Sequence, residues 1–120
     1  MEKTPGPDHP ITIEKNPKRV VVKVKGETIA DTRNAKTLKE ANYPPVHYIP
    51  RADVDMMKLA RTTHTTECPY KGDASYFSIL DHELGENAVW SYEKPHNAVA
   101  DIKEHVAFHP KSVDSIEEED

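Results

Sequence analysis

The chain has one cysteine, four glycines and no long apolar run, and each shortage removes a class of explanation. A single thiol cannot close an internal disulfide, so a reducing cytoplasm is the expected compartment. A helical membrane span needs about 18 or more consecutive apolar residues, and no stretch approaches that length. The opening MEKTPGPDHP also has no apolar centre of the kind a signal peptide requires. No stripe of Lys and Arg is dense enough to neutralise a run of phosphates. Neither nucleic acid nor a membrane is therefore an expected partner.

What is present suits one small domain. A chain of 120 residues with 36% hydrophobic and 31% charged side chains can bury a single core if it uses its apolar residues efficiently. Ten prolines imply many breaks, short elements and few long helices. The formal charge of −5 is uneven: residues 1–60 carry 11 basic against 8 acidic groups, and residues 61–120 carry 5 against 13. The terminal DSIEEED supplies five of those acids and reads as a solvated tail. The organisation expected is a flexible arm over 1–10, a β-rich domain over 11–114 and an acidic tail over 115–120.

Within the domain, Val20, Val22 and Val24 alternate with Val21, Lys23 and Lys25, the two-residue period of a half-buried strand. Gly26 suits the first central position of a tight hairpin turn, after which 28–32 returns as the partner. In that register Val24 meets Ile29, and Asp31 falls opposite Val22 on the apolar face. Residues through Leu38 read as extended, followed by a turn at Asn42-Tyr43-Pro44-Pro45 and a strand carrying Val46, Tyr48 and Ile49. RADVDMMKLAR predicts one short helix capped by Asp53, its methionines serving as core filler. ASYFSIL, AVWSYEKP and HVAFHP give three more strands, and PHNAVADIKE a helical turn after Pro95. The fold class expected is mainly β, with one or two short helices, closed as a small barrel or packed as two sheets.

Five blocks, GETIADT, YPPVHYIPRADV, TECPYKGDASY, AVWSYEKP and HVAFHPKSVD, resemble in order the blocks of the family called domain of unknown function 427, also labelled nucleotidyltransferase-like. The resemblance runs from about Arg19 to Asp114. It implies a small β-rich fold similar to the β-tent of methionine sulfoxide reductase B. Many proteins of that broader group hold a structural zinc through two CxxC pairs. This chain has no CxxC, so no such site is expected, and no cofactor is called for. It also has no G-x-x-x-x-G-K-[ST] phosphate cradle and no paired aspartates for metal-dependent nucleotidyl transfer.

Candidate chemistry centres on CPYKG. Cys68 is a nucleophile if Lys71, three residues on, lowers its pKa, with His64 as a base; otherwise it is a small buried hydrophobe. Tyr48, Tyr70, Tyr76, Trp90 and Tyr92 offer rings with polar tips, and Arg51 a two-pronged donor for a carboxylate or phosphate. For Trp90 a core role is preferred; Arg51 either meets a ligand or pairs with Asp53 or Asp55. The seven histidines at 9, 47, 64, 82, 96, 105 and 109 show no zinc-ligand spacing, since His105 and His109 lie along one strand.

The leading expectation is a pocket for a small polar or anionic ligand, walled by CPYKG and the Tyr48–Arg51 segment. Tyr48, Arg51, Cys68, Tyr70, Lys71 and Tyr76 would bind the ligand. The alternatives are an enzyme with Cys68 and Lys71 as catalytic residues, and a protein-interaction module whose tail meets a basic partner.

Overall fold

The computed structural model describes residues 2–120, so Met1 of the expected arm lies outside the described residues. The chain is mainly β, built as two antiparallel sheets that pack together without closing into a barrel. Of the two arrangements expected, packed sheets are the one adopted.

The smaller sheet holds β2 (Arg19–Val24), β3 (Glu27–Thr32) and β10 (Ser115–Glu119), in the order β10-β2-β3. The valine alternation does form a strand, but the hairpin differs in detail. Lys25 and Gly26, with φ of 53° and 80°, are the two central turn residues, the doubly left-handed geometry whose twist matches paired strands. Val24 then pairs with Glu27, and a bulge leaves Ile29 unpaired. The bulge corrects the awkward register: Asp31 pairs with Val21, points outward and accepts two hydrogen bonds from Arg19. Residues 115–119 are not frayed. They form the edge strand β10 on β2, where Glu117 and Glu119 face Lys23 and Arg19.

The larger sheet comprises β1 (Ile11–Lys15), β4 (Lys36–Glu40), β5 (Val46–Pro50), β6 (Leu59–Cys68), β7 (Gly72–Ile79), β8 (Val89–Ser91) and β9 (His105–Phe108). Their order is β1-β4-β5-β9-β8-β7-β6. The polar edges β1 and β6 were not foreseen. LARTTHTTEC, whose first three residues fall in the expected helix, is the longest strand, and it is exposed along most of its length because it closes one edge. Thr and charged residues on such an edge discourage pairing with other chains.

The expected helix over RADVDMMKLAR is absent. Two 3₁₀ turns, Arg51–Asp53 and Met56–Lys58, replace it. Asp53 caps neither; its carboxylate instead accepts a hydrogen bond from Thr32. The backbone here ties to the small sheet through the Ala30–Val54 bridge, which a continuous helix could not make. A third 3₁₀ segment, Asn97–Ile102, occupies the place foreseen after Pro95.

Alternation along the strands gives the large sheet two dressed faces. On the inner face Ile49, Phe77, Val89 and Val106 pack against Val20, Val22 and Val24 of the small sheet. On the outer face Leu38, Tyr48, Ala74, Tyr92 and Ala107 form a second cluster, roofed by Val99 and Ile102 of the 3₁₀ segment. Among the described residues, no helix is long and apolar enough to cross a membrane.

Candidate functional site

The outer face carries the candidate site. Cys68 ends β6 and Gly72 starts β7, so CPYKG is the hairpin turn between them, and Gly72 adopts a φ of 109°. A side chain at Gly72 would press on the Lys94 carbonyl, with its Cβ 3.3 Å away. Close packing onto Lys94–His96 therefore sets the turn, and the His96 N–H donates to the Lys71 carbonyl at 3.0 Å.

The turn delivers Lys71 to the end of β4. There its ammonium donates to Glu40 Oε1, and His9 Nε2 meets the other carboxylate oxygen at 2.7 Å. Solvent reaches only 14% of the Lys71 side chain and 11% of the Glu40 side chain. Burial pushes Glu40 towards protonation, but hydrogen bonds from Lys71 and His9 outweigh it and hold the carboxyl below its ordinary range. The Lys71 ammonium also sits 5.7 Å from the centre of the Tyr92 ring. Tyr70 stacks flat on His9, with ring centres 3.9 Å apart. The N-terminal segment is thus attached rather than loose: Lys3 N–H donates to the Pro69 carbonyl at 2.8 Å.

Beneath this cluster lies an aromatic floor. Trp90 Nε1 donates to the Tyr48 hydroxyl at 3.1 Å, and the two rings meet edge to face at 6.4 Å. Burial pushes the Tyr48 and Tyr92 phenols well above their ordinary range, so both stay protonated. Cys68 is half-buried against these rings together with Tyr76. Tyr76 hydrogen-bonds Thr66 at 3.0 Å, and the exposed His64 ring packs on Tyr76 at 4.5 Å.

The residues expected to form one pocket therefore divide. Tyr48, Cys68, Tyr70, Lys71 and Tyr76 share the outer face, whereas Arg51 does not join them. Its guanidinium lies 5.5 Å from the centre of Phe77 on the inner face and donates to Ser91 and Glu93, each at 3.1 Å. Neither Asp53 nor Asp55 is its partner. Arg61 forks onto the same Glu93 at 3.0 and 2.6 Å, and Ser75 donates at 2.9 Å. The Arg61 hydrogen bond, aided by Ser75 and Arg51 against the cost of burial, lowers the Glu93 pKa to about 2.

Two hollows open beside the CPYKG turn. One of about 320 Å³ is lined by His9, Ala41, Asn42 and Tyr43; the other, about 400 Å³, by residues including Gly72, Ser75, Glu93 and His96. Neither Tyr48 nor Cys68 lines them. Among the described residues, His, Cys, Asp and Glu side chains do not gather in threes as a metal centre requires.

Two members of the cluster, His9 and Glu40, escaped the sequence reading. His9 sits in a Pro- and Gly-rich arm, and Glu40 in a stretch without recognisable chemistry. The one available signal was period: Glu40 follows Leu38 by two along a strand, and so shares its face. With this geometry in view, comparison with known proteins adds one match. The family model described as Domain of unknown function (DUF427) covers residues 12–119. No curated protein matches the chain.

Proposed function

This chain belongs to the family described as Domain of unknown function (DUF427), and for it we propose the binding of a small polar ligand where the CPYKG turn meets the end of β4. The observation that carries the reading is the His9–Glu40–Lys71 cluster. A buried ion pair adds little stability over apolar side chains of the same size, so one kept at a surface hollow points to recognition. The hollow of about 320 Å³ beside His9 gives a small molecule its way in.

The cluster also narrows the ligand's chemistry. Lys71 is already neutralised by Glu40, and Arg51 by Glu93, which disfavours a strongly anionic ligand. A molecule with both a donor, for Glu40, and an acceptor, for Lys71 or His9, fits best. Tyr70 and Tyr43 supply rings at the rim, while Tyr48 and Tyr76 belong to the floor. Cys68 packs on that floor, and the Lys71 ammonium that would activate the thiol is engaged by Glu40; binding is therefore preferred to covalent catalysis. The acidic tail has its charges partly met within the small sheet, which weakens the interaction-module reading. One half-buried free thiol agrees with residence in a reducing cytoplasm.

Native mass spectrometry and thermal shift against a panel of polar metabolites test the proposal. A ligand that stabilises the wild type should lose at least about tenfold in affinity, or ~1.4 kcal/mol, with Glu40→Gln or Lys71→Met. It should bind Arg51→Ala as before. A ligand indifferent to Glu40 and Lys71, or lost with Arg51 alone, overturns the reading.

A further inference from the structure

Both oxygens of the Glu40 carboxylate are engaged, one by the Lys71 ammonium and the other by the His9 imidazole. A ligand whose donor is to reach Glu40 must therefore take the place of one of them. Lys71 is the harder to move, because the CPYKG turn is packed on Lys94–His96 and its Lys71 carbonyl accepts the His96 N–H at 3.0 Å. His9 is different. It belongs to the N-terminal segment, in which none of residues 2–8 is buried.

That segment is anchored at its base, where the Pro10 carbonyl accepts the Ala41 N–H at 2.8 Å. It then turns back at Pro7-Asp8, closed by the His9 N–H on the Gly6 carbonyl at 2.9 Å. Among the described residues, the polar contacts holding 2–8 to the domain are few. The Lys3 N–H donates to the Pro69 carbonyl, the Lys3 ammonium lies 6.0 Å from the Tyr70 ring centre, and Glu2 lies 3.6 Å from His96. A segment held by a few exposed contacts opens at little cost.

The seated His9 shows what chemistry its place accepts. Its ring lies flat on Tyr70, with 3.9 Å between centres and 7° between planes, while Nε2 is 2.7 Å from Glu40 Oε2. Hydrogen bonds from Lys71 and His9 keep Glu40 ionised, and a carboxylate only accepts, so Nε2 carries the proton and donates it. The same ring edges the hollow of about 320 Å³, whose other walls are Ala41, Asn42 and Tyr43. A planar ring with one N–H thus fills the place, and open space continues beside it.

We propose, resting on the binding reading for this cluster, that its ligand is a planar nitrogen heterocycle with a ring N–H, for which His9 is the tethered stand-in. On entry the heterocycle stacks on Tyr70, donates its N–H to Glu40 Oε2, and offers an acceptor to Lys71. Substituents on its ring extend into the hollow towards Tyr43. The N-terminal segment swings away about Pro10, and so serves as a strap that is closed in the free protein. While seated, His9 competes from within the molecule and lowers the apparent affinity in proportion to the closed fraction.

The test titrates benzimidazole, and 1-methylbenzimidazole, which lacks the N–H, into the full chain. Histidine ring signals in NMR spectra and amide hydrogen exchange follow the strap. Benzimidazole should bind the wild type, release the His9 ring from Tyr70 and speed exchange of the Lys3 amide. His9→Ala should bind it at least about tenfold more tightly, because the tethered competitor is gone. Binding should weaken at least about tenfold for 1-methylbenzimidazole on the wild type, and likewise for benzimidazole on Glu40→Gln. Melting curves identify any variant that fails to fold, in which case the two benzimidazoles on the wild type decide. Binding by His9→Ala alone, equal affinity for the two benzimidazoles, or binding with His9 still seated overturns the inference. A ringless polar metabolite that depends on Glu40 and Lys71, with no heterocycle bound, overturns it while leaving the parent reading intact; if neither class binds, both fall.

Discussion

The Lys71 ammonium lies against the Glu40 carboxylate, 31 positions away in the chain, and joins the CPYKG turn to the end of β4. Removing one partner strands the other in a place where solvent barely reaches. Lys71→Met should therefore cost about 2–3 kcal/mol, below the full cost of breaking a deeply buried pair because His9 still contacts Glu40. The double variant Glu40→Met/Lys71→Met should recover most of that loss. Urea unfolding of the two single variants and the double one measures the coupling; additive losses would show that the pair does not act as a unit.

Acid should act through Glu93. Its folded pKa of about 2 lies below the ordinary 4.5, so its stabilising contribution is fully present above pH 4.5 and is lost as pH falls through about 2. After allowance for solvent at this partly exposed site, the contribution is about 1–2 kcal/mol. Glu93→Gln should accordingly be less stable than wild type at pH 6, with the gap closing towards pH 2. Circular dichroism melts across that window measure it, and a pH-independent gap would contradict the assignment.

Cys68 should react slowly with iodoacetamide in the native protein and quickly once unfolded, because it is half-buried against the outer-face cluster that holds Tyr48 and Tyr92. Glu40→Gln frees Lys71 from its partner. If that change makes alkylation of the folded protein fast, the thiol is under the control of Lys71 and the nucleophile reading returns.

Removing residues 115–120 should expose the Val20–Val24 edge of the small sheet. A loss of about 2 kcal/mol is expected, from the buried part of Ile116 and the strand pairing it brings. The truncated protein should also self-associate, as an unprotected apolar edge pairs with its like. Light scattering and urea titration report the two effects separately.

Two glycines should answer differently to alanine. At Gly26 nothing lies within 4 Å of an added Cβ, and the penalty is the left-handed backbone alone, about 1 kcal/mol. At Gly85 the Cβ would fall 2.3 Å from the Ile79 carbonyl oxygen, so the backbone must move, and the cost should reach about 3 kcal/mol. Equal melting temperatures for the two variants would refute this.

Strands that bury one face announced themselves. Valines at every second position gave β2, and the β-branched and aromatic run of 74–80 gave β7, because the pleat imposes a period that the core then enforces. Edge strands left no such mark. β6 and β10 are polar on most sides, and what makes them strands is a neighbour's open row of hydrogen-bonding groups.

The amino-acid order by itself determined a mainly β domain, the turns at its prolines and glycines, and the grouping of an aromatic set around CPYKG. Charge pairing was decided only in three dimensions. Arg51 has Asp53 and Asp55 close by in the chain, yet it meets Glu93, because the strand order lays β8 and β9 between β5 and β7 and turns its side chain inward. Glu40, Lys71 and His9 come from three separate segments for the same reason. A strand's pleat fixes which face a side chain joins, but only the order in which strands assemble decides which distant residue waits there.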